Sequence, residues 1–299
     1  LSQRLDNDIQ MKREDLQPVH SFKCRGAYNK IAGLSDDACA GGVIAASAGN
    51  HAQGVALAAS KRGIRAVIVM PRTTPSIKVD AVRHYGARIV LEGDAYDDAY
   101  AHARELAEQE GMVFIHPYDD PEVIAGQGTI ALEILAELPD TDVLLIQLSG
   151  GGLLSGIAMA AKSINPGIHI VAVSLDQSPA MLESLKAGRP VQVDEKNSIA
   201  DSLLGGIGFD NHYTLSLVEK FTDEHLLITE EEIIDGMFYV FDKHRLIVEG
   251  AAAVGVGALM NQKINVKGKK VVTLLSGSSI NSGEYIRVIH GRLTNGGKQ

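Results

Sequence analysis

The chain has no tryptophan, two cysteines and few aromatic residues, Phe, Trp and Tyr together making 5% of its 299 positions. Cys24 and Cys39 supply neither a disulfide framework nor a metal-ligand spacing, which excludes a disulfide-stapled scaffold and a zinc module and favours a reducing cytoplasm. Positive charge is also scarce: 28 Lys and Arg face 37 Asp and Glu, a formal net charge of -9. Nucleic acids and anionic membranes are normally met by a basic patch, so no nucleic-acid partner and no membrane partner is expected. No apolar run is long enough to span a bilayer, and residues 1–20 lack the basic-then-apolar profile of a signal peptide. The chain opens abruptly on "LSQRLDNDIQ", already structured in character, and part of the natural N-terminus is expected to be absent.

What is present is an alternation of short apolar runs and Ala-rich amphipathic stretches. Strands are expected at 41–47, 65–70, 87–92, 112–117, 142–149, 168–174 and 270–276, several of them apolar on both faces, as in a covered parallel sheet. Helical patterns fill 50–63, 76–86, 95–111 and 128–138, each ending near Gly or Pro, with a further amphipathic helix at 230–245 and a small-residue, buried segment at 248–261. This order predicts an open, doubly wound α/β architecture, with any second domain inserted in the sheet order and not strung on a linker.

Three strand ends and one lysine carry the polar chemistry. "VHSFKCRGAYNK" (19–30) sets Lys23 between Phe22 and Cys24 near the start of a short helix. "AASAGNHAQG" (45–54) turns from a strand at Ser47 into a helix near His51; the backbone N–H groups at such a start attract an anion, although Ser47 or Asn50 could equally be a plain helix cap. "QLSGGGLLSG" (147–156) sets consecutive glycines before a helix, a turn that can wrap a phosphate. Its Gly150, Gly152 and Gly156, with Asp176 about 20 residues on, also allow a nicotinamide-dependent dehydrogenase, a reading that leaves Lys23 unexplained. A non-catalytic ligand-binding protein is a further alternative. "LLSGSSINSG" (274–283) ends a strand in Ser276. Ligands of open α/β sheets gather at the carboxyl ends of the strands, and two anion-binding loops with one lysine suggest a phosphorylated carbonyl cofactor held as a Schiff base.

The segments "KREDLQPVHSFKCRGAYNKI", "ASAGNHAQGVALAA", "IAGQGTIALEIL", "SGGGLLSGIA" and "LLSGSSIN" resemble the pyridoxal-phosphate-dependent threonine/serine dehydratases, which share their fold with serine racemase. The resemblance implies a fold-type-II α/β enzyme, similar to the tryptophan synthase β subunit, of two open doubly wound domains: 1–41 with 123–299 as the large cofactor-binding domain and 42–122 as the small substrate-side domain. It implies that Lys23 is the Schiff-base lysine and α-proton base, that Phe22 packs on the cofactor ring, and that Asn50 bonds the ring 3-oxygen. Ser149, Gly150, Gly151, Gly152 and Leu153 then form the phosphate loop, Ser149 standing where the family usually has a glycine. Ser276 faces the pyridine nitrogen, and Ser47, Ala48, Gly49, Asn50 and His51 hold the substrate carboxylate. The implied reaction removes water from a 3-hydroxy amino acid and yields a 2-oxo acid and ammonia, in the cytoplasm and as a homo-oligomer, most simply a dimer.

Departures from the pattern shape further expectations. Racemases of this fold carry a serine where Ala48 stands, so racemisation is disfavoured. Their metal site uses an acidic pair where this chain has Ser174 and Ala180, so no such metal site is expected. Too little chain follows the catalytic region for a regulatory domain, so control by isoleucine is not expected. The segment "ADSLLGGIGFDNHYT" (200–214) resembles a branch associated with hydroxyectoine breakdown, which opens a hydroxyectoine-derived amino acid as an alternative substrate.

Overall fold

The computed structural model describes residues 1–5 and 7–296. The chain divides into two compact units, Gln17–Gln127 and Leu1–Leu16 with Gly128–Gln299.

In the unit Gln17–Gln127 four parallel strands, β2 (Val43–Ala46), β3 (Ala66–Met70), β4 (Arg88–Leu91) and β5 (Val113–Phe114), lie in the order β4-β3-β2-β5. Side chains of a strand alternate between faces, and here each face builds its own core. Val43, Ala45, Ile68 and Met70 pack with Ala52, Val55 and Ala59 of the helix Asn50–Arg62, whereas Ile44, Ala46, Val67 and Val69 pack with Ala99, Ala103 and Ala107 of the helix Tyr96–Glu110. Both faces of β2 and β3 are thus covered, which is why these strands read as unbroken apolar runs.

The segment 17–41, expected in the large domain, falls in this smaller unit instead. Its helix Lys23–Gly33 buries Ala27 and Ile31 in the same core as Val43 and Ile68, and the Arg62 guanidinium bonds the carbonyls of Ile31, Ala32 and Leu34 at the end of that helix. The second boundary lies at 127/128, inside the helix Pro121–Glu137, and not at 122.

In the other unit five parallel strands, β1 (Asp8–Arg13), β6 (Val143–Gln147), β7 (His169–Leu175), β8 (Glu224–Ile228) and β9 (Lys270–Leu275), take the order β1-β9-β6-β7-β8. The central three are the expected apolar runs. The two edge strands, "DIQMKR" and "EHLLI", are half exposed and carry charge, so they lack that signal. The helix Gly250–Met260 is buried at ten of its eleven positions; its Gly, Ala and Val side chains let it lie against β6 and β9. The helix Glu230–His244 starts in a capping box, with Glu232 N–H donating to Thr229 Oγ1 and Thr229 N–H to Glu232 Oε2 (2.8 Å). A last helix, Ser282–Gly296, follows β9 beyond the helices anticipated from sequence. Among the described residues no helix is long and apolar enough to cross a membrane.

Candidate cofactor site

Phe22 and Lys23 open a helix in the unit Gln17–Gln127. Phe22 is the N-cap, and the Lys23 ammonium lies 5.4 Å from the centre of its ring. Lys23 is half-buried, and its Nζ donates to the carbonyl of Pro117 at 2.8 Å. The helix Asn50–Arg62 comes close because residue 54 is glycine: a Cβ there would stand 3.0 Å from the Lys23 carbonyl oxygen and 3.2 Å from the Cys24 nitrogen. The two helix starts thus lie close enough for the charge of Lys23 to act on His51.

At that junction Ser47 N–H donates to Val69 O at 3.1 Å, prolonging the β2–β3 ladder, and Ser47 Oγ accepts from Gly49 N–H at 3.2 Å. Neither Ser47 nor Asn50 caps the helix. The N-cap is Gly49, which has no side chain to cap the helix. Asn50 and His51 are both buried. Burial first, and then the nearby charge of Lys23, lowers the His51 pKa to about 3, so its ring is neutral at physiological pH. His51 Nε2 pairs with Ile115 O at 2.8 Å; a carbonyl only accepts, so Nε2 carries the proton and the buried Nδ1 is an acceptor with no hydrogen-bond partner.

The remaining residues lie in the unit that contains β6 and β9. Ser149, Gly150 and Gly151 follow β6, and the helix Gly152–Ile164 opens with Gly152 and Leu153. Gly151 is its N-cap, with φ of 89°, a left-handed backbone that glycine adopts without strain. A Cβ at Gly151 would also crowd Met181, Thr214 and Val218 at 2.9–3.1 Å. No side chain caps this helix either, and one turn in, the fully buried Ser155 Oγ has no hydrogen-bond partner. Ser276 directly follows β9 and is buried. Strands β6 and β9 are neighbours, and Gln147 Nε2 donates to Leu274 O at 2.7 Å, so the glycine turn and Ser276 share one carboxyl edge.

Taken unit by unit, these groups have the chemistry that a phosphorylated pyridine aldehyde calls for. An uncapped helix start behind a left-handed glycine, with a partnerless buried hydroxyl beneath it, answers an anionic phosphate. A half-buried lysine amine answers an aldehyde. The family model for pyridoxal-phosphate-dependent enzymes matches residues 1–277. The chain belongs to this family. As a member of the pyridoxal-phosphate-dependent enzymes it takes pyridoxal phosphate as its cofactor, and the dehydrogenase reading falls.

Relatives within the family are close. The chain is 46% identical to the L-threonine ammonia-lyase of Thermotoga maritima over 299 residues, 100% of this chain and 74% of that protein. It is 45% identical to the biosynthetic L-threonine dehydratase of Pasteurella multocida over 284 residues, 94% of this chain but 55% of that protein, about half its length. The processed form of threonine deaminase isoform 2 from Solanum lycopersicum superposes with a TM-score of 0.91 at 39% identity, over 97% of this chain and 80% of that one.

Several groups near these residues, each within its own unit, escaped sequence reading. Pro117 matters through its carbonyl, which has no side-chain signature. Glu249 is a buried carboxylate at the N-cap of the helix Gly250–Met260; it accepts from Ser279 N–H at 3.1 Å, while its own N–H donates to Gly277 O at 3.2 Å, which ties down the chain after Ser276. An acidic residue before a small-residue helix was the available signal. Ser174, weighed for a metal, donates to Leu148 O at 2.9 Å, and Ala180 begins the helix Ala180–Ala187. Among the described residues no group of three His, Cys, Asp or Glu could hold a metal ion.

Proposed function

We propose that the protein eliminates water from a 3-hydroxy amino acid, L-threonine or L-serine, and releases a 2-oxo acid and ammonia. The observation that carries this reading is the seating of the Lys23 amine, half-buried at a helix start that packs on the helix following the turn 47–51, with its charge acting on His51. The names of the relatives, threonine ammonia-lyase and threonine dehydratase, support the substrate class.

In this reading Lys23 is the attachment amine, Phe22 packs on the cofactor ring and Asn50 bonds its 3-oxygen. Ser149 to Leu153 hold the phosphate at the helix start. Pyridoxal phosphate, when bound, supplies an electron sink that acidifies the α-carbon of an attached amino acid. Lys23 Nζ, once exchanged for the substrate amine, takes the α-proton. The turn 47–51 holds the substrate carboxylate with helix N–H groups, and its neutral His51 adds no competing charge. Ser276 offers the ring nitrogen a neutral hydroxyl in place of a carboxylate. A hydroxyl there would not hold a proton on the ring nitrogen by charge, which would favour prompt loss of the substrate's hydroxyl over transamination. Ala48 supplies no acid or base for the opposite face, which disfavours racemisation.

The purified protein with pyridoxal phosphate is expected to release 2-oxo acid from L-threonine, and Lys23→Ala to lose both turnover and the visible cofactor band. A yellow wild-type protein silent on threonine and serine would remove those substrates and leave the cofactor assignment standing. Attention would then pass to the segment 200–214, a 3-10 turn (Asp201–Leu203) and a loop with Phe209 exposed, and to a hydroxyectoine-derived amino acid. The same reading includes a cytoplasmic homodimer, for which analytical ultracentrifugation at micromolar protein is the check.

A further inference from the structure

After β5 the chain Ile115–Asp119 is held by a run of hydrogen bonds to its backbone. Ile115 N–H donates to Ile44 O at 2.8 Å, and Ile115 O accepts from His51 Nε2. The His116 ring turns back on its own chain: Nδ1 accepts from Asp119 N–H at 2.8 Å and from Tyr118 N–H at 3.3 Å, and the Tyr118 ring stands edge-on to it at 4.7 Å. An imidazole nitrogen that accepts two N–H groups carries no proton, so His116 holds its proton on Nε2. The turn it closes contains Pro117, whose ring fixes φ and whose carbonyl is the one that receives Lys23 Nζ. The mechanism above uses neither His116 nor the Pro117 carbonyl.

We propose that His116 is a positioning residue for Lys23: its Nδ1 closes the turn 116–119 and thereby fixes the Pro117 carbonyl as the seat of the Lys23 amine whenever that amine is not bonded to the cofactor. This rests on the reading of Lys23 as the attachment amine. The chemistry needs such a seat. A lysine released from the cofactor has four rotatable side-chain bonds, and a strong acceptor helps to confine its Nζ to the region where it must take a proton and later re-attach. A backbone carbonyl cannot itself exchange protons with the amine, so it orients without competing. An aspartate in its place would form an ion pair and hold the amine in its charged, non-nucleophilic form.

The test is competitive acetylation of the full-length chain after removal of cofactor with hydroxylamine, with Lys23 labelling compared by peptide mass mapping with exposed lysines of the same sample. Asn places its side-chain oxygen where Nδ1 stands; Gln carries it one bond further out. His116→Gln is therefore expected to speed Lys23 labelling about tenfold, the measure of one charge-assisted hydrogen bond. His116→Asn is expected to stay within about twofold of wild type. Equal rates in wild type and His116→Gln, or equal acceleration in both variants, would overturn the proposal. A parallel borohydride reduction of the holoenzyme tests the parent reading separately. A pyridoxyl adduct on Lys23 with unmoved labelling removes only the seat, and an adduct on another lysine removes the parent reading and this proposal with it.

Discussion

Two strand-to-helix junctions in this chain use the same device with opposite means. After β2 the helix Asn50–Arg62 starts behind Gly49 at φ of -126°, outside the left-handed region, and its first turn buries the polar side chains of Asn50 and His51. After β6 the helix Gly152–Ile164 starts behind Gly151 at φ of 89°, which strongly favours glycine, and its first turn buries Leu153, Leu154 and the hydroxyl of Ser155. The first junction adds side-chain chemistry to the helix dipole and can tell one ligand shape from another. The second presents bare backbone to charge, which suits a phosphate that is the same in every turnover.

That contrast can be broken most severely at Gly151. Gly151→Ala places a Cβ 2.9–3.1 Å from Met181, Thr214 and Val218 on a left-handed backbone. A cost of roughly 1–3 kcal/mol is expected, read as a lower thermal midpoint, together with at least about tenfold weaker capture of pyridoxal phosphate in a visible-absorbance titration. Unchanged capture would show that this turn is not the phosphate site. Asn50→Ala should weaken capture a few-fold, about the value of one hydrogen bond, while inorganic phosphate still competes with the cofactor as in wild type. Loss of phosphate competition in Asn50→Ala and its survival in Gly151→Ala would reverse the two roles.

His51 sharpens the comparison through pH. Its folded pKa, lowered to about 3, lies below the unfolded value near 6.5, so the folded state binds fewer protons between them. Its contribution to stability is complete above pH 6.5 and is lost as pH falls towards 3, at up to about 1.4 kcal/mol per pH unit. His51→Gln keeps a donor at the Nε2 position and removes the titration. Urea unfolding from pH 7 to 4 should therefore show a flatter decline in the variant, and parallel declines would contradict the buried neutral ring. The smallest effect is expected at Ser276→Asp: a carboxylate at the ring nitrogen should shift part of the product from 2-oxo acid release to transamination, measured by the gain of the aminated cofactor.

The sequence alone revealed what repeats or stands out locally. The runs "VIAA", "AVIVM" and "VLLIQ" announced covered parallel strands because both faces of each are buried. Edge strands β1 and β8 stayed hidden because only part of each is buried, and charge at an edge is indistinguishable from a loop. Lys23, the turn 47–51 and the turn 149–153 were legible as unusual residues at helix starts. The domain boundary was not: "KCRGAYNKIAG" looks the same whether Ala27 and Ile31 pack on one sheet or the other, and only the core they join assigns them.

The residue types and spacing of "SFKCRGA", "SAGNH" and "SGGGLL" thus determined the family and its cofactor, since each encodes chemistry within a few bonds of itself. Tertiary structure decided what surrounds that chemistry. The carbonyl that receives Lys23 comes from 94 residues away, and the one that fixes the His51 tautomer from 64. A backbone carbonyl is identical in every residue, so no sequence marks which one will matter. Its role arises only when the packing of distant segments sets it against a donor and excludes water from the pair.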